Sequence, residues 1–507
     1  MKSLLNSLFV VFFLQIVNAQ FPVDGQYQSI APPTTPVMPN IGQSVQDNSV
    51  PSPIEITRVT DVYNYIDGNG DPQVWYPTHE YSKTQVWNAD QTRYKIASWK
   101  VYNATTYQEE QSLSSMYPSY WSNTDADVIW SFRENGDIKK YNVSTNITQT
   151  VASISGYEII KLGPGEGNID KNDHYVALVG KKENEVGSFD LDIIIFDLLT
   201  YQIVTTRNFP DGWSDGANHA PKYVDWVSVS QSGDFVVIMW NHSTATDNEV
   251  DEYIENGNLH YGVEVYNSLD MQFQNRIIRY GNHGDLGYAI DGSEVLVQFY
   301  GQYGGGKLYM HKLDGSQSSI VLTTNVDFGV YGHISCRNIN RPGWAYITHS
   351  LNAQTGQMVA VKLDDSGIVE HFGHHFSSAG SYAQASMAVA SPDGDKICFK
   401  SDFGTGVNNG DITYSFFATL SSPLSVEEEL LTKVIMYPNP TTDFIKIEGE
   451  NNIKKIVIYN EIGQFLENVE IRNNTDTIIN IKHLKKGIYF VRISFEKNAI
   501  LKKIVKK

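Results

Sequence analysis

One short pattern, repeated along most of this chain, limits its fold more than any other feature. A polar turn built on Asp, Asn, Ser or Gly leads at once into a run of β-branched or aromatic residues. Examples are "NADQTRYKIASWKVYN" from Asn88, "DKNDHYVALVG" from Asp170, "SQSGDFVVIMWN" from Ser230, "AIDGSEVLVQFYG" from Ala289 and "SPDGDKICFKSD" from Ser391. Most are followed, after a gap, by a further strand-like stretch and a second turn such as "HKLDGSQ" or "VKLDDSG". Helical periodicity is almost absent from the same region, so the chain is expected to be all-β. Hairpin signals recurring every few tens of residues mark a β-propeller. At about 45 to 50 residues per blade, residues 55–424 are expected to form a seven-bladed β-propeller.

The flanks carry different information. Residues 1–19 read as a signal peptide: a basic start, the apolar run "LLNSLFVVFFLQIV" and a small-residue end at Ala19. No later segment approaches the roughly 20 apolar residues of a membrane span, so no transmembrane segment is expected. Residues 20–54, with "APPTTPVMPNIGQSVQDNSVPSPIE", have the Pro, Ser, Thr and Asn content of a linker. Residues 425–507 alternate apolar and polar positions in "FIKIE", "IVIYN" and "YFVRI", which indicates a small β-sandwich. "MYPNPTTDFIKIE", "KKIVIYNEIGQFLENVEI" and "LKKGIYFVRISF", in that order, closely resemble the C-terminal sorting domain of the type IX (Por) secretion system. The resemblance implies handling by that machinery, passage across inner and outer membranes, and a secreted or cell-surface location. A formal charge of −19 argues against a nucleic-acid partner. An anionic substrate then needs a locally basic cleft.

In a propeller, the loops that feed the innermost strands gather at one end, so residues distant in sequence meet there. His79, His219, His283, His333 and the group His371, His374 and His375 all lie near the start of such strands. Tyr223, Tyr288 and Tyr346 lie close to these histidines. Imidazole and phenol with a nearby cation are the equipment for β-elimination from a uronic acid. The cation neutralises the carboxylate, a neutral imidazole removes the C5 proton, and the phenol protonates the leaving oxygen. The chain has 2 cysteines. Asp327, His333, Cys336 and His349 offer a carboxylate, a thiolate and two imidazoles, a set that a structural zinc accepts. A buried free thiol and a disulfide from Cys336 to Cys398 are the other two readings of the same residue.

The propeller layout, the histidine-rich loops, the Asp/His/Cys/His set and the sorting tail together resemble the secreted propeller-type ulvan lyases, polysaccharide lyase families 25 and 24. The resemblance implies cleavage of an acidic, sulfated polysaccharide next to a uronic acid. It also implies two histidines, a tyrosine, an arginine and a second tyrosine, carried here by His219, His242, Tyr288 and Tyr346. The arginine has no match in its window, where Lys307 stands instead; Arg337 and Tyr223 are further candidates for substrate contact. His219 is then the base or its partner, Tyr288 the acid, and His242, His283 and Tyr346 position the substrate. Calcium is a possible second cofactor. Two other readings stay open: a non-catalytic glycan- or protein-binding propeller, using aromatics such as Trp75, Trp87 and Trp213, and a lyase for another uronate polymer such as pectin fragments.

Overall fold

The computed structural model describes residues 24–97, 99–163, 166–213, 224–240, 251, 254–255, 259–279, 281, 284–299, 307–322, 332–349, 356–378, 384–405, 412–421, 435–448, 453–460, 465–469, 476–494 and 499–507. The chain forms two units, Met1–Leu420 and Ser421–Lys507. The signal-peptide reading of residues 1–19 lies outside the described residues.

The repeated sequence pattern becomes a repeated hairpin. In "SQSGDFVVIMW", Gly233 takes φ +87°, a left-handed conformation that suits glycine, and turns strand Val224–Val229 into Phe235–Trp240. Val236 to Trp240 are all buried, so the run is apolar without alternation because both faces of the sheet are covered.

Described from the N-terminal side, the first sheet contains Arg93–Ile96, Lys100–Asn103 and Glu109–Ser112, with Trp87 bridged to Tyr94 on its inner edge. The second contains Tyr120–Trp121, Val128–Phe132, Asp137–Asn142 and Ile147–Ser153. The third contains Ile159–Leu162, Tyr175–Glu183, Phe189–Asp197 and Gln202–Phe209. The fourth contains Val224–Val229, Phe235–Trp240, Val263–Asn267 and Phe273–Ile278. The fifth contains Gly284–Tyr288, Glu294–Phe299, Leu308–Lys312 and Ser318–Leu322. The sixth contains His333–Ser335, Trp344–Thr348, Gln357–Lys362 and Ile368–His374. The seventh contains Val389–Ala390, Lys396–Ser401 and Tyr414–Leu420, continued by Ile54–Arg58 from the start of the unit.

Neighbouring sheets share apolar cores. Val101 of the first meets Ile129 of the second, Trp130 meets Leu178 of the third, and Ile193 meets Ile238 of the fourth. Val265 meets Leu296 of the fifth, Val297 meets Ile347 of the sixth, and Phe372 meets Phe399 of the seventh. Phe417 of the seventh then packs with Trp87 and Tyr94 of the first, with ring centroids 4.8 and 5.0 Å apart. Each such aromatic or aliphatic side chain contributes about 1.5–3 kcal/mol by leaving water.

Residues 20–54 do not behave as a linker where they are described. Gly25–Gln26 pairs with Ile368 and Val369 on the outer edge of the sixth sheet, and Ser44–Asp47 pairs with Ile54–Arg58 on the outer edge of the seventh. Tyr27 and Val50 are buried in the adjoining cores. Proline and polar residues are tolerated on edge strands, where one side of the backbone needs no partner.

The C-terminal unit is built from two sheets. One contains Ile435–Tyr437, Phe444–Glu448 and Asp476–Asn480; the other contains Phe465–Val469, Lys455–Asn460, Gly487–Ser494 and Ala499–Lys506. Ile445, Ile447, Ile456, Ile458, Ile479 and Ile493 fill the core between them, as the alternation in "FIKIE" and "IVIYN" requires.

Candidate functional site

The innermost strands of the fifth and sixth sheets run side by side in the same sense. The Cys336 and Arg337 backbone and side chain donate to Asp285 at 2.7–3.0 Å, and Gly343 N–H donates to the Tyr288 carbonyl at 3.0 Å. This levelling defines two ends: a mouth, where the chain starts each innermost strand, and a turn end, where it leaves for the next strand.

At the mouth, the stretch "THEYSKTQVW" brings together side chains from separate sheets. His79 is 1% exposed. Its backbone N–H donates to Ser415 Oγ at 3.0 Å and its Nε2 faces the Met387 carbonyl at 2.7 Å, both in the segments of the seventh sheet. Burial drives the His79 imidazole down to about 4, so it is neutral and Nε2 carries the donated proton. Glu80 pairs with the fully buried Lys95 of the first sheet at 2.8 Å. The Tyr81 ring stands edge-on to the His333 ring of the sixth sheet, with centroids 5.2 Å apart. The Lys83 ammonium pairs with Glu166, lies 4.3 Å from the Trp226 ring of the fourth sheet, and is 5.8 Å from the Tyr81 ring. Gln85 locks the stretch in place, donating to the Arg337 and Ala390 carbonyls at 3.0 and 3.2 Å. A cation, a half-buried phenol and an imidazole are thereby gathered within one shell, held by groups from the first, fourth, sixth and seventh sheets.

The sequence-predicted residues fall in several places. His219, Tyr223, His242, His283 and Asp327 lie outside the described residues. Tyr288 ends the innermost strand of the fifth sheet at the turn end, half-buried, with the Lys171 ammonium 4.7 Å from its ring. Burial, then the carboxylates of Glu294, Asp234 and Asp170, push its phenol up. His333 begins its strand and Tyr288 ends the neighbouring one; with Cys336 against Gly287, about four residues, or roughly 13 Å of strand, separate them at about 3.3 Å per residue. Tyr346 is 1% exposed. Its hydroxyl donates to the Gly394 carbonyl at 2.6 Å and accepts from Arg341, whose guanidinium grips Glu370 at 2.6 and 2.7 Å. Tyr346 thus braces the sixth sheet against the seventh. Arg337 is buried and committed to Asp285 through two hydrogen bonds at 3.0 and 2.9 Å. Lys307 is exposed just ahead of strand Leu308–Lys312. Of the three tryptophans considered as sugar platforms, Trp87 is fully buried, Trp213 packs partly buried on a core, and Trp75 faces a cavity.

The three described members of the predicted zinc set do not come together. The register His333↔Thr348, Ile334↔Ile347, Ser335↔Tyr346 puts His349 beyond one end of the ladder and Cys336 beyond the other, roughly 13 Å apart along the strands. His333 and Cys336, three positions apart in an extended chain, face opposite sides of the sheet. His333 meets Tyr81, whereas Cys336 sits in an apolar core against Gly287, where an added Cβ would lie 3.1 Å from its sulfur. Among the described residues no three His, Cys, Asp or Glu groups are arranged to hold a metal ion. Donors on opposite faces do not fit one tetrahedral ion with bonds of about 2.0–2.3 Å. Both cysteines are free and buried, in different cores, and burial pushes both thiols up.

Sequence reasoning picked His79 out of this stretch and passed over Tyr81, Lys83 and Glu166. The available signal was density: three ionisable residues and a tyrosine within "HEYSK", in a segment with no strand periodicity to explain them.

Residues 435–507 match the family of secretion-system C-terminal sorting domains. The protein is exported by type IX secretion, to the cell surface or beyond it. Among the described residues no helix is long and apolar enough to cross a membrane. A 136-residue stretch is 26% identical to β-agarase A of Zobellia galactanivorans, spanning 25% of each chain. Among solved structures, an oligogalacturonate lyase in complex with manganese aligns over 75% of this chain and 96% of its own, with a TM-score of 0.50 and 11% identity. An oligogalacturonate lyase from Vibrio parahaemolyticus aligns over the same shares with a TM-score of 0.48 and 10% identity. At 11% identity the likeness to the manganese complex is one of fold.

Proposed function

We propose that the N-terminal unit is a seven-bladed propeller enzyme that cleaves a uronate-containing polysaccharide by β-elimination after export. The succession of sheets, each sharing a core with the next and the seventh with the first, supports the propeller count. The observation that carries the chemistry is the meeting of Lys83, Tyr81 and His333 at the mouth. In this reading the Lys83 ammonium, buried and paired with Glu166 in the free protein, exchanges that partner for the substrate carboxylate and so makes the C5 hydrogen acidic. An imidazole takes that proton; the sequence reading gives this role to His219 and a positioning role to His242 and His283. The electron pair left on C5 forms the C4–C5 double bond, the C4–O bond breaks, and Tyr81 protonates the departing glycosidic oxygen. Tyr81 takes the acid's place from Tyr288 in this reading because it shares an end with His79 and His333. The fold likeness to oligogalacturonate lyases agrees with an acidic glycan substrate, and the ulvan-lyase layout makes sulfated ulvan the first polymer to try.

Incubation of the mature protein with ulvan, pectate and alginate, followed by the ultraviolet absorbance of unsaturated uronate ends, tests the reading. One polymer should give a rising signal. Tyr81→Phe and Lys83→Met should each lower turnover about a hundredfold or more, with circular dichroism unchanged, while Tyr288→Phe should leave turnover nearly intact. Retained polymer binding with no unsaturated product replaces the lyase by a glycan-binding platform.

A further inference from the structure

Beside the mouth, between the first and seventh sheets, the chain makes a hairpin that belongs to neither. Strand Tyr63–Ile66 pairs with Pro72–Trp75, Tyr63 opposite Trp75. The hairpin sets its rings against those of the first sheet. Trp75 stacks on Trp99 with centroids 5.0 Å apart and planes 17° apart, and Tyr63 stands edge-on to both, at 5.9 and 6.3 Å. These rings, with Tyr65 and Tyr117, wall a cavity of about 690 Å³. Tyr65 and Tyr117 are 42% and 60% exposed, so aromatic surface is left in water around an open pocket. Apolar surface of that kind is costly to leave uncovered and marks a binding site when it is concave.

The floor of the cavity holds Thr78, His79, Glu80 and Lys400. His79 is hydrogen-bonded through its ring to Met387, and Glu80 is paired with Lys95. Lys400 differs. Its residue is 9% exposed, its backbone N–H donates to the Ser386 carbonyl, and among the described residues its ammonium has neither a hydrogen bond nor an ion pair. Burial alone holds it down to about 8. A buried ammonium without a counter-charge is expensive, and here it faces an aromatic pocket large enough for a short oligosaccharide.

We propose that this cavity is a subsite for an acidic sugar residue, its ring lying against the aromatic wall and its anionic substituent meeting the Lys400 ammonium. Sugar rings offer a face of C–H groups to aromatic side chains, and the anion supplies the charge that Lys400 lacks in the free protein. The proposal borrows from the lyase reading only the choice of an acidic glycan. No bond is made or broken in this subsite.

The test is calorimetric titration of the mature protein with three probes of equal length. Oligogalacturonate carries carboxylates only, carrageenan oligosaccharide carries sulfates only, and cello-oligosaccharide is neutral. At least one acidic probe should bind more tightly than the neutral one, and the two acidic arms say which anion Lys400 prefers. Lys400→Met should weaken the acidic probe about tenfold or more, as expected for a lost charge-assisted hydrogen bond, and leave the neutral probe unchanged. Trp75→Ala should weaken both. Thermal melting guards against misfolding: removing an unpaired buried charge should leave Lys400→Met as stable as the native protein or more so. Equal binding of acidic and neutral probes, or full binding by Trp75→Ala, overturns the subsite. Absence of unsaturated products with these binding differences intact overturns the lyase reading and leaves the subsite standing.

Discussion

Cys336 illustrates how one residue can be chemically suggestive in sequence and inert in the fold. His-x-x-Cys in a helix would put both side chains on neighbouring positions of one face. In a strand the same spacing sends them to opposite faces. His333 therefore reaches the mouth, and Cys336 is packed against Gly287 beneath the fifth sheet. Spacing was legible in the sequence, but the face each residue takes depends on a strand only three residues long, His333–Ser335. Two consequences are measurable. Thiol titration of the native protein should detect neither Cys336 nor Cys398, because both are buried and both thiols are pushed up by burial; both should react on unfolding. Zinc content by elemental analysis should be the same in the native protein and in Cys336→Ser, and a stoichiometric zinc lost with that substitution would restore the metal reading.

At the level of elements, the N-terminal segment is where composition and structure part. "APPTTPVMPNIGQSVQDNSVPSPIE" lacks the apolar alternation of a central strand, which is why it reads as a tether. It needs little of that pattern, because Gly25–Gln26 and Ser44–Asp47 are edge strands that borrow their register from the sheets they join. What fixes them is polar. Asp24 binds the His371 ring at 2.9 Å, and Tyr27 and Ile30 both donate to Gln357 Oε1, at 3.0 and 3.1 Å. Asp47 accepts from the His374 backbone and meets its ring, both at 2.8 Å. Burial pushes the Asp47 carboxyl up, and the hydrogen bonds from His374 and Ser49 outweigh it, holding the group below the usual carboxylate range. Asp47→Ala removes one half of a buried pair and should cost on the order of 3 kcal/mol in urea unfolding. A tether residue would cost less than about 0.5 kcal/mol. The two readings of the segment thus differ by far more than the error of a denaturation midpoint.

For the molecule as a whole, the repeated hairpin was readable because every sheet solves the same problem with the same turn and the same apolar run. The mouth was less so, because Tyr81 and Lys83 sit in an irregular crossing segment whose neighbours come from sheets far away in sequence. Histidines were read as a group that gathers at one end, and four of the described ones share a different property: they are buried and held uncharged. Burial drives the imidazoles of His79 and His311 down to about 4. His349 and His375 go to about 3, burial being joined by neighbouring imidazoles, His375, His374 and His371 around His349 and His374 beside His375. Each takes up its proton near pH 6.5 when unfolded but not until pH 3 to 4 when folded. Between those limits the unfolded chain binds more protons, so stability falls as pH falls. Above about pH 6.5 this source of stability is fully present; with four such groups, each worth on the order of 3 kcal/mol at its limit, its loss is comparable to the whole stability of a typical domain. Melting temperature should therefore be level from pH 8 to 7 and drop steeply between pH 6.5 and 4, well before most carboxylates are protonated. His375→Gln, which removes one titrating imidazole, should make the drop shallower. A melting temperature that stays level down to pH 4 would mean these imidazoles are solvated or paired in solution, and with them the dry cores that join the fifth, sixth and seventh sheets would be in question.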